Sequence, residues 1–356
     1  MNKLALIIAL NYNNTNLELS GCYNDAEAFL EMIHNGFNYK KENIILITDS
    51  KTYFSNNKNI LQKNIYKTGN KNQILNVFDI FSKKLKDESY NEFIITYSGH
   101  GIQIKNETAS DENDNRNEAI VPSNNTNKIT NDLLIYDNII NEKIIKPLND
   151  KDIRGYIFMD ACNSGSNSDL QYQYIYDFNK FYRYSNEDNS KPKSKIISIS
   201  SSLDKEVSLE TRYNGRTYGV LTQSIYSTYL NKGSYYFSNL NIIDLYKMIY
   251  DKMKNYLHLN QTPVLSTNNA DIKTLVFNKV LDTPLIEIIK QRDAKINSLD
   301  NTIKVLNKRI LALEEEKENL KSKINILEND IKNPSLDDYS INKNISNLLF
   351  YIYDFF

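Results

Sequence analysis

The chain has 356 residues, with 43 Lys and Arg against 44 Asp and Glu, a net charge of −1. That length suits about two domains, and the near-neutral balance excludes an electrostatic case for nucleic acid or an anionic membrane as partner. With 40% hydrophobic and 24% charged residues, the composition is that of a folded globular chain.

Met1–Leu10 has the outline of a short leader: Lys3, then the apolar run Leu4–Leu10. Asn11-Tyr12-Asn13-Asn14 follows where a small-residue cleavage site is needed, so the run reads as a buried first strand. Ile44–Thr48, Glu92–Tyr97, Ile153–Met159 and Ser194–Ser201 are further short apolar runs bounded by polar turns. Such runs predict strands covered on both faces. Helical periodicity lies between them at about Asn24–His34, Lys71–Lys86, Tyr136–Lys146, Thr217–Leu230 and Asn241–His258. Strands alternating with helices predict an α/β fold with a mostly parallel sheet. The Tyr-, Asn- and Ser-rich stretch at about 167–193 reads as an exposed connection. Residues 1–281 form the first predicted domain.

Beyond it, Ile289, Ile296, Ile303, Ile310, Ile324 and Ile331 recur every seven residues, with Lys317 in the one gap. Leu299, Leu306, Leu313, Leu320 and Leu327 follow three residues after five of these positions. Ile at a and Leu at d predict a parallel two-stranded coiled coil over 285–333, hence a homodimer. The flanking pairs Lys295–Asp300, Arg309–Glu314, Glu316–Lys321 and Lys323–Glu328 attract in that arrangement. Pro334 ends the helix, and an apolar-aromatic tail, 334–356, follows. No apolar run reaches the ~18 residues of a membrane span, so no membrane partner is expected.

Cys22 and Cys162 are the two cysteines, too few for a disulfide framework. No CxxC or HExxH suggests a zinc site. The expected location is intracellular, in the cytoplasm. His100 and Cys162 each lie just past a predicted strand, beside Gly99, Gly101 and Gly165. Ligands bind beyond the carboxyl ends of parallel strands, and a Cys–His pair is a minimal apparatus for covalent acyl transfer. For a Cys or a His taken alone, an ordinary buried core residue is the competing reading.

Tyr97-Ser98-Gly99-His100-Gly101 and Asp160-Ala161-Cys162-Asn163-Ser164-Gly165-Ser166 resemble the two catalytic motifs of the metacaspases, in the caspase-like cysteine peptidase clan. Ala5–Tyr12, Leu19–Ala26 and Asn43–Asp49 resemble further motifs of that family, in order, over about residues 3–280. The resemblance implies a caspase-like sheet flanked by helices, with His100 as general base and acid and Cys162 as nucleophile. The amides of Gly101 and Cys162 would hold the oxyanion. Cys22, Asp25, Ser98 and Asp160 would line an acidic primary pocket that accepts Arg or Lys. Two carboxylates at a pocket bottom attract a guanidinium or ammonium and reject an acidic side chain.

The resemblance also implies a calcium activator, at Asn117, Asn131, Asp132 and Asp169, although the chemistry itself needs no cofactor. Two of these four are neutral, which weakens a calcium site. The acidic run Ser110–Glu118 fails as an EF-hand loop, with Arg116 at the Gly position and Pro122 at the terminal Glu. Asn163 stands where the family usually has His. Self-cleavage is expected in the connection carrying Lys180, Arg183, Lys191, Lys193 and Lys195. The function expected is a cysteine endopeptidase cleaving after Arg or Lys in proteins or peptides. The alternatives are a caspase-fold scaffold acting through its coiled coil, and a cysteine hydrolase of a small amide or ester.

Overall fold

A computed structural model describes residues 2–56, 64–105, 116–124, 128–162, 170–177, 180–185, 192–203, 206, 208–238, 240–256, 261–269 and 285–332. The chain divides into two compact units, Met1–Val280 and Leu281–Phe356.

The first unit is built on β1 (Asn2–Ala9), β2 (Ile44–Thr48), β3 (Ile65–Tyr66), β4 (Tyr90–Ser98), β8 (Arg154–Asp160) and β11 (Lys195–Ser200). They pair in parallel in the order β3-β2-β1-β4-β8-β11. Beyond β11, the strands β14 (Val264–Thr267), β9 (Tyr172–Asp177) and β10 (Lys180–Ser185) extend the sheet antiparallel, each to its neighbour. Two small antiparallel sheets accompany it. One joins β5 (Gly101–Lys105), β6 (Arg116–Ile120) and β7 (Ile135–Tyr136); the other is the hairpin of β12 (Glu210–Tyr213) and β13 (Arg216–Gly219).

Alternation of side chains explains the unbroken apolar runs. Ala5, Ile7 and Ala9 of β1 enter one core, with Ile44 and Leu46 of β2 and Tyr156 and Phe158 of β8. Helices α1 (Cys22–Glu31), α4 (Val220–Ser238) and α5 (Ile242–Asp251) cover that face. Leu4, Leu6 and Ile8 enter the opposite core, under α2 (Lys71–Asp87) and α3 (Asp137–Ile140). Each fully buried aliphatic side chain stabilises the fold by about 1.5–3 kcal/mol.

Helix α2 shows the local logic. Asn70 caps it by accepting from the Gln73 amide at 2.9 Å, and Gln73 Oε1 accepts in return from the Thr68 and Gly69 amides. The Asn70 cap satisfies a donor the helix leaves free, and Gln73 ties down the turn that leads into it. Ile74, Val77, Phe78, Phe81 and Leu85, at helical spacing, then face the sheet.

The structure corrects the sequence reading in several places. The stretch expected to be an exposed connection carries β9 and β10, and Tyr174 is buried in the core. Its alternating tyrosines, polar on the ring tip and apolar on the face, suit an edge hairpin. Thr217–Gly219 belongs to β13, and α4 begins at Val220. The predicted helix Tyr136–Lys146 starts at Asp137, and Asn141–Ile145 winds more widely.

In the second unit, α6 (Leu285–Lys332) is one continuous helix of 48 residues. Its heptad side chains Leu299, Ile303, Leu306, Ile310, Leu313, Leu320, Ile324 and Leu327 are 38–56% exposed. The tail 334–356 lies outside the described residues. Among the described residues, no helix is long and apolar enough to cross a membrane.

Candidate active site

Neighbouring parallel strands end together. Ser98 of β4 pairs in register with Asp160 of β8, so His100 and Cys162 both lie two residues past one rung of the sheet. The Gly99 amide donates to the Asp160 carbonyl at 3.4 Å. A Cβ placed on Gly101 would stand 2.2 Å from the Cys162 carbonyl oxygen. Only a glycine lets the two backbones approach this closely.

His100 is held from three sides. Its Nε2 lies 2.7 Å from the Leu17 carbonyl, which accepts only if Nε2 carries the proton. That leaves Nδ1 as the basic nitrogen. Its ring packs on Tyr12, centroids 4.8 Å apart. Its backbone amide donates to the Tyr12 hydroxyl at 2.9 Å, and that hydroxyl donates to the Val121 carbonyl at 2.6 Å. Tyr12 has a positive φ of 52°, a conformation unfavourable for a bulky residue. Asp49 holds it there, accepting from the Asn11 and Tyr12 amides at 3.1 and 2.7 Å and from the Tyr23 hydroxyl at 2.6 Å.

Cys162 is partly buried and its thiol is free. The Ser208 amide donates to Sγ at 3.2 Å, and Sγ reaches the Ser208 carbonyl at 3.7 Å. Burial pushes the thiol up, the Ser208 amide pulls it down, and the Asp160 charge pushes it up.

Beside the thiol lies a buried pair of carboxylates. Asp25, 1% exposed, sits in the first turn of α1; Asp160, 7% exposed, ends β8. Asp25 accepts from the Gly219 amide at 3.0 and 3.3 Å and from the Ser98 side chain. Asp160 Oδ2 accepts from the Thr222 amide and hydroxyl at 2.9 and 3.0 Å, and Oδ1 from the Ser208 hydroxyl at 3.2 Å. A Cβ on Gly219 would meet Asp160 Oδ2 at 2.3 Å, so this position too requires glycine. Every one of these partners is neutral. No Lys or Arg among the described residues pairs with either carboxylate. Burial first, then the Asp160 charge, holds Asp25 well above the usual carboxylate range. Burial pushes Asp160 up to about 6. Cys22 is buried at the start of α1; burial and the charges of Asp25, Glu210 and Asp160 push its thiol far up. It is a neutral wall.

The structure thus gathers Cys22, Asp25, Ser98 and Asp160 around His100, Gly101 and Cys162. The described residues considered for calcium lie on other elements. Asn117 is on β6, while Asn131 and Asp132 share a single turn, Asn131–Leu133. Asp169 lies outside the described residues, as do most of the acidic run and Asn163–Ser166. Asp132 is the one described member with a charge, and the Lys71 ammonium donates to its carbonyl at 2.8 Å. Among the described residues no three His, Cys, Asp or Glu converge as metal ligands.

Sequence reasoning missed Tyr12, Asp49, Ser208, Glu210, Gly219 and Thr222 as parts of this site. Glu210 accepts from the Ser20 and Gly21 amides at 3.0 and 2.5 Å, fastening the β12–β13 hairpin to the start of α1. One signal was present: Asn214-Gly215, with φ of 49° and 77°, is a hairpin turn between two short strands. Nothing in the sequence indicated that this hairpin folds over the site.

An α/β sheet with a Cys, a His and a buried acidic pocket beyond its strand ends is an arrangement suited to a cysteine peptidase. Residues 3–171 match the family model for the metacaspase, peptidase C14 domain. Over this segment the chain is similar to metacaspase domains. Metacaspase-1 of Eremothecium gossypii is 28% identical over 173 residues, covering 49% of this chain and 34% of that one. Metacaspase-1 of Plasmodium falciparum is 28% identical over 217 residues, 58% of this chain and 31% of that one. Metacaspase-1A of Aspergillus oryzae is 31% identical over 170 residues, 48% and 36% respectively. The matched region thus spans about a third of the length of these relatives. A solved structure of a Geobacter sulfurreducens protein aligns with 79% of this chain and 100% of that one, at 16% identity and a TM-score of 0.49.

Proposed function

We propose that this protein is a cysteine endopeptidase that cleaves after Arg or Lys with His100 and Cys162 as its dyad. The observation that carries the reading is the buried Asp25–Asp160 pair, which has no cation among the described residues and adjoins a free thiol at the strand ends. Two buried carboxylates repel one another, and a guanidinium between them relieves that cost.

In the proposed reaction the Cys162 thiol gives its proton to His100 Nδ1, and the thiolate attacks the carbonyl carbon of the basic residue. The Gly101 and Cys162 amides stabilise the oxyanion. The C–N bond breaks as His100 returns the proton to the leaving amine. Water, deprotonated by His100, then attacks the thioester, releasing the acid and restoring the thiol. No metal takes part in these steps.

Self-processing between residues 180 and 195 belongs to the same proposal. Lys180, Arg183 and Lys195 are in strands, Lys193 precedes β11, and Lys191 is outside the described residues. Lys193 is the exposed basic residue outside regular structure. Dimerisation through α6 also belongs to it: a helix with this much exposed Ile and Leu gains by burying its seam against a second copy.

The test is cleavage of fluorogenic peptides ending in Arg, Lys or Asp, with and without calcium, by wild type and Cys162→Ala. Cleavage after Arg or Lys, abolished in the variant, is expected. Absence of Cys162-dependent cleavage moves the function to a scaffold acting through α6. Mass measurement of the full chain at low concentration is expected to give a dimer, and a strict monomer refutes the coiled coil.

A further inference from the structure

Ser208 touches both halves of the site. Its backbone amide and carbonyl occupy the acceptor and donor functions of the Cys162 thiol, at 3.2 and 3.7 Å. Its hydroxyl donates to Asp160 Oδ1 at 3.2 Å. Gln261 Nε2 donates to the same hydroxyl at 3.3 Å, and Ser201 Oγ lies 3.0 Å away. A hydroxyl has one proton to give, and here an acceptor-only carboxylate takes it.

The two oxygens of Asp160 are not equivalent. Thr222 supplies two donors to Oδ2, and a Cβ on Gly219 would stand nearest that oxygen, 2.3 Å away against 2.9 Å from Oδ1. Among the described residues, Oδ1 has the Ser208 hydroxyl alone. A cationic side chain that reaches Asp160 therefore meets it at Oδ1, the oxygen that positions Ser208. A guanidinium brings several charged donors to that point and outcompetes a neutral hydroxyl.

We propose that Ser208 is a positioning residue that couples the two events: a cation in the acidic pocket takes Asp160 Oδ1 from the Ser208 hydroxyl and thereby frees the Cys162 thiol from the Ser208 backbone. The resting thiol is engaged at both its donor and acceptor; the released one is available to give its proton to His100. The cation also neutralises the Asp160 charge that disfavours a thiolate. The nucleophile is thus readied by the side chain that specifies the cut, which limits reaction with other electrophiles. This inference rests on the acidic pocket proposed above and adds a mechanism to it.

The experiment uses agmatine, an arginine side chain without its carboxylate, and needs no peptidase activity. Alkylation of Cys162 by iodoacetamide is timed by peptide mass mapping, with and without agmatine. Agmatine binding is measured on the same proteins by calorimetry. In wild type, bound agmatine is expected to speed alkylation roughly tenfold, as when a carboxylate a few ångströms from the sulfur is neutralised and a hydrogen bond is released. Ser208→Ala is expected to alkylate fast without agmatine and to respond less than twofold. Ser208→Thr, which keeps the hydroxyl, is expected to behave as wild type. Agmatine that binds wild type but leaves alkylation unchanged overturns the coupling while the pocket stands; this arm needs no variant. An undiminished response in folded Ser208→Ala also overturns it. Absence of agmatine binding removes the pocket and the coupling together.

Discussion

Strand β4 carries a buried carboxylate near one end and borders a pair of them at the other, and the two groups are satisfied differently. Near its amino end, Glu92 has Lys3 at 3.0 Å, Arg154 at 3.4 Å and the Tyr39 hydroxyl at 3.0 Å. Lys3 also donates to the Phe37 carbonyl at 2.9 Å. Burial pulls the Lys3 ammonium below its usual range and Glu92 pulls it back. Glu92 is thus paired with cations inside the fold. At the carboxyl end, the donors to Asp25 and Asp160 among the described residues are all neutral: amides of Gly219 and Thr222 and hydroxyls of Ser98, Ser208 and Thr222. Fixed neutral dipoles hold the carboxylates in place without cancelling their charge. A compensated group contributes structure; an uncompensated one is poised for a ligand.

The largest expected effect breaks the compensated end. Glu92→Gln leaves Lys3 buried without its charge partner and is expected to cost about 3–5 kcal/mol of stability. Denaturant unfolding measures it, and pocket specificity is expected to be unaffected. The opposite end should behave in the opposite way. Asp160→Asn is expected to lower kcat/KM for Arg peptides about 10²-fold, about 2.7 kcal/mol in transition-state binding, with no loss of unfolding free energy. A destabilised, still specific Asp160→Asn would erase the distinction between the ends.

A smaller effect is expected at the ring beneath His100. Tyr12→Phe removes the hydroxyl that meets the His100 amide and the Val121 carbonyl. A roughly tenfold loss of kcat with little change in KM is expected, because orientation of the imidazole, not substrate binding, is affected. A change confined to KM would place Tyr12 in substrate binding instead.

The pH dependence sharpens the same contrast. Asp160 is held at about 6 against an ordinary 3.8, so the folded state takes up its proton more readily than the unfolded chain. The penalty for its charge is then fully present above pH 6 and disappears as pH falls below about 3.8. Asp160→Asn is therefore expected to unfold at a higher temperature than wild type at pH 7–8 and to converge with it near pH 4. A gap that widens on acidification would contradict that sign. The smallest effect is expected where charges meet in solvent. Arg216 pairs with Glu27 at 2.5 Å, but the side chains are 45% and 26% exposed. Arg216→Gln is expected to cost under about 1 kcal/mol in an unfolding titration.

The central sheet was legible because its strands are buried on both faces. Leu4–Leu10 and Ile153–Met159 must be apolar at every step, and a continuous apolar run survives without knowledge of neighbours. The edge strands were not legible for the same reason. β9 is mostly half-buried, and its alternating tyrosines offer no continuous aliphatic run to mark a strand. His100, Cys162, Asp25 and Asp160 stood out through short motifs, each local in the chain. Ser208 and Thr222 act on Asp160 from 48 and 62 residues away, and no local pattern marks such partners.

The sequence by itself determined the alternating α/β order, the positions of His100 and Cys162 past two strands, and a helix with an Ile and Leu heptad. Each follows from periodicity or from residues adjacent in the chain. Tertiary structure decided that β4 and β8 are neighbours in register, that Leu17 and Tyr12 orient His100, and that Ser208 joins the thiol to the acidic pocket. Those contacts form only when strand pairing brings distant segments together, and burial then makes each unmatched charge and each hydrogen bond count.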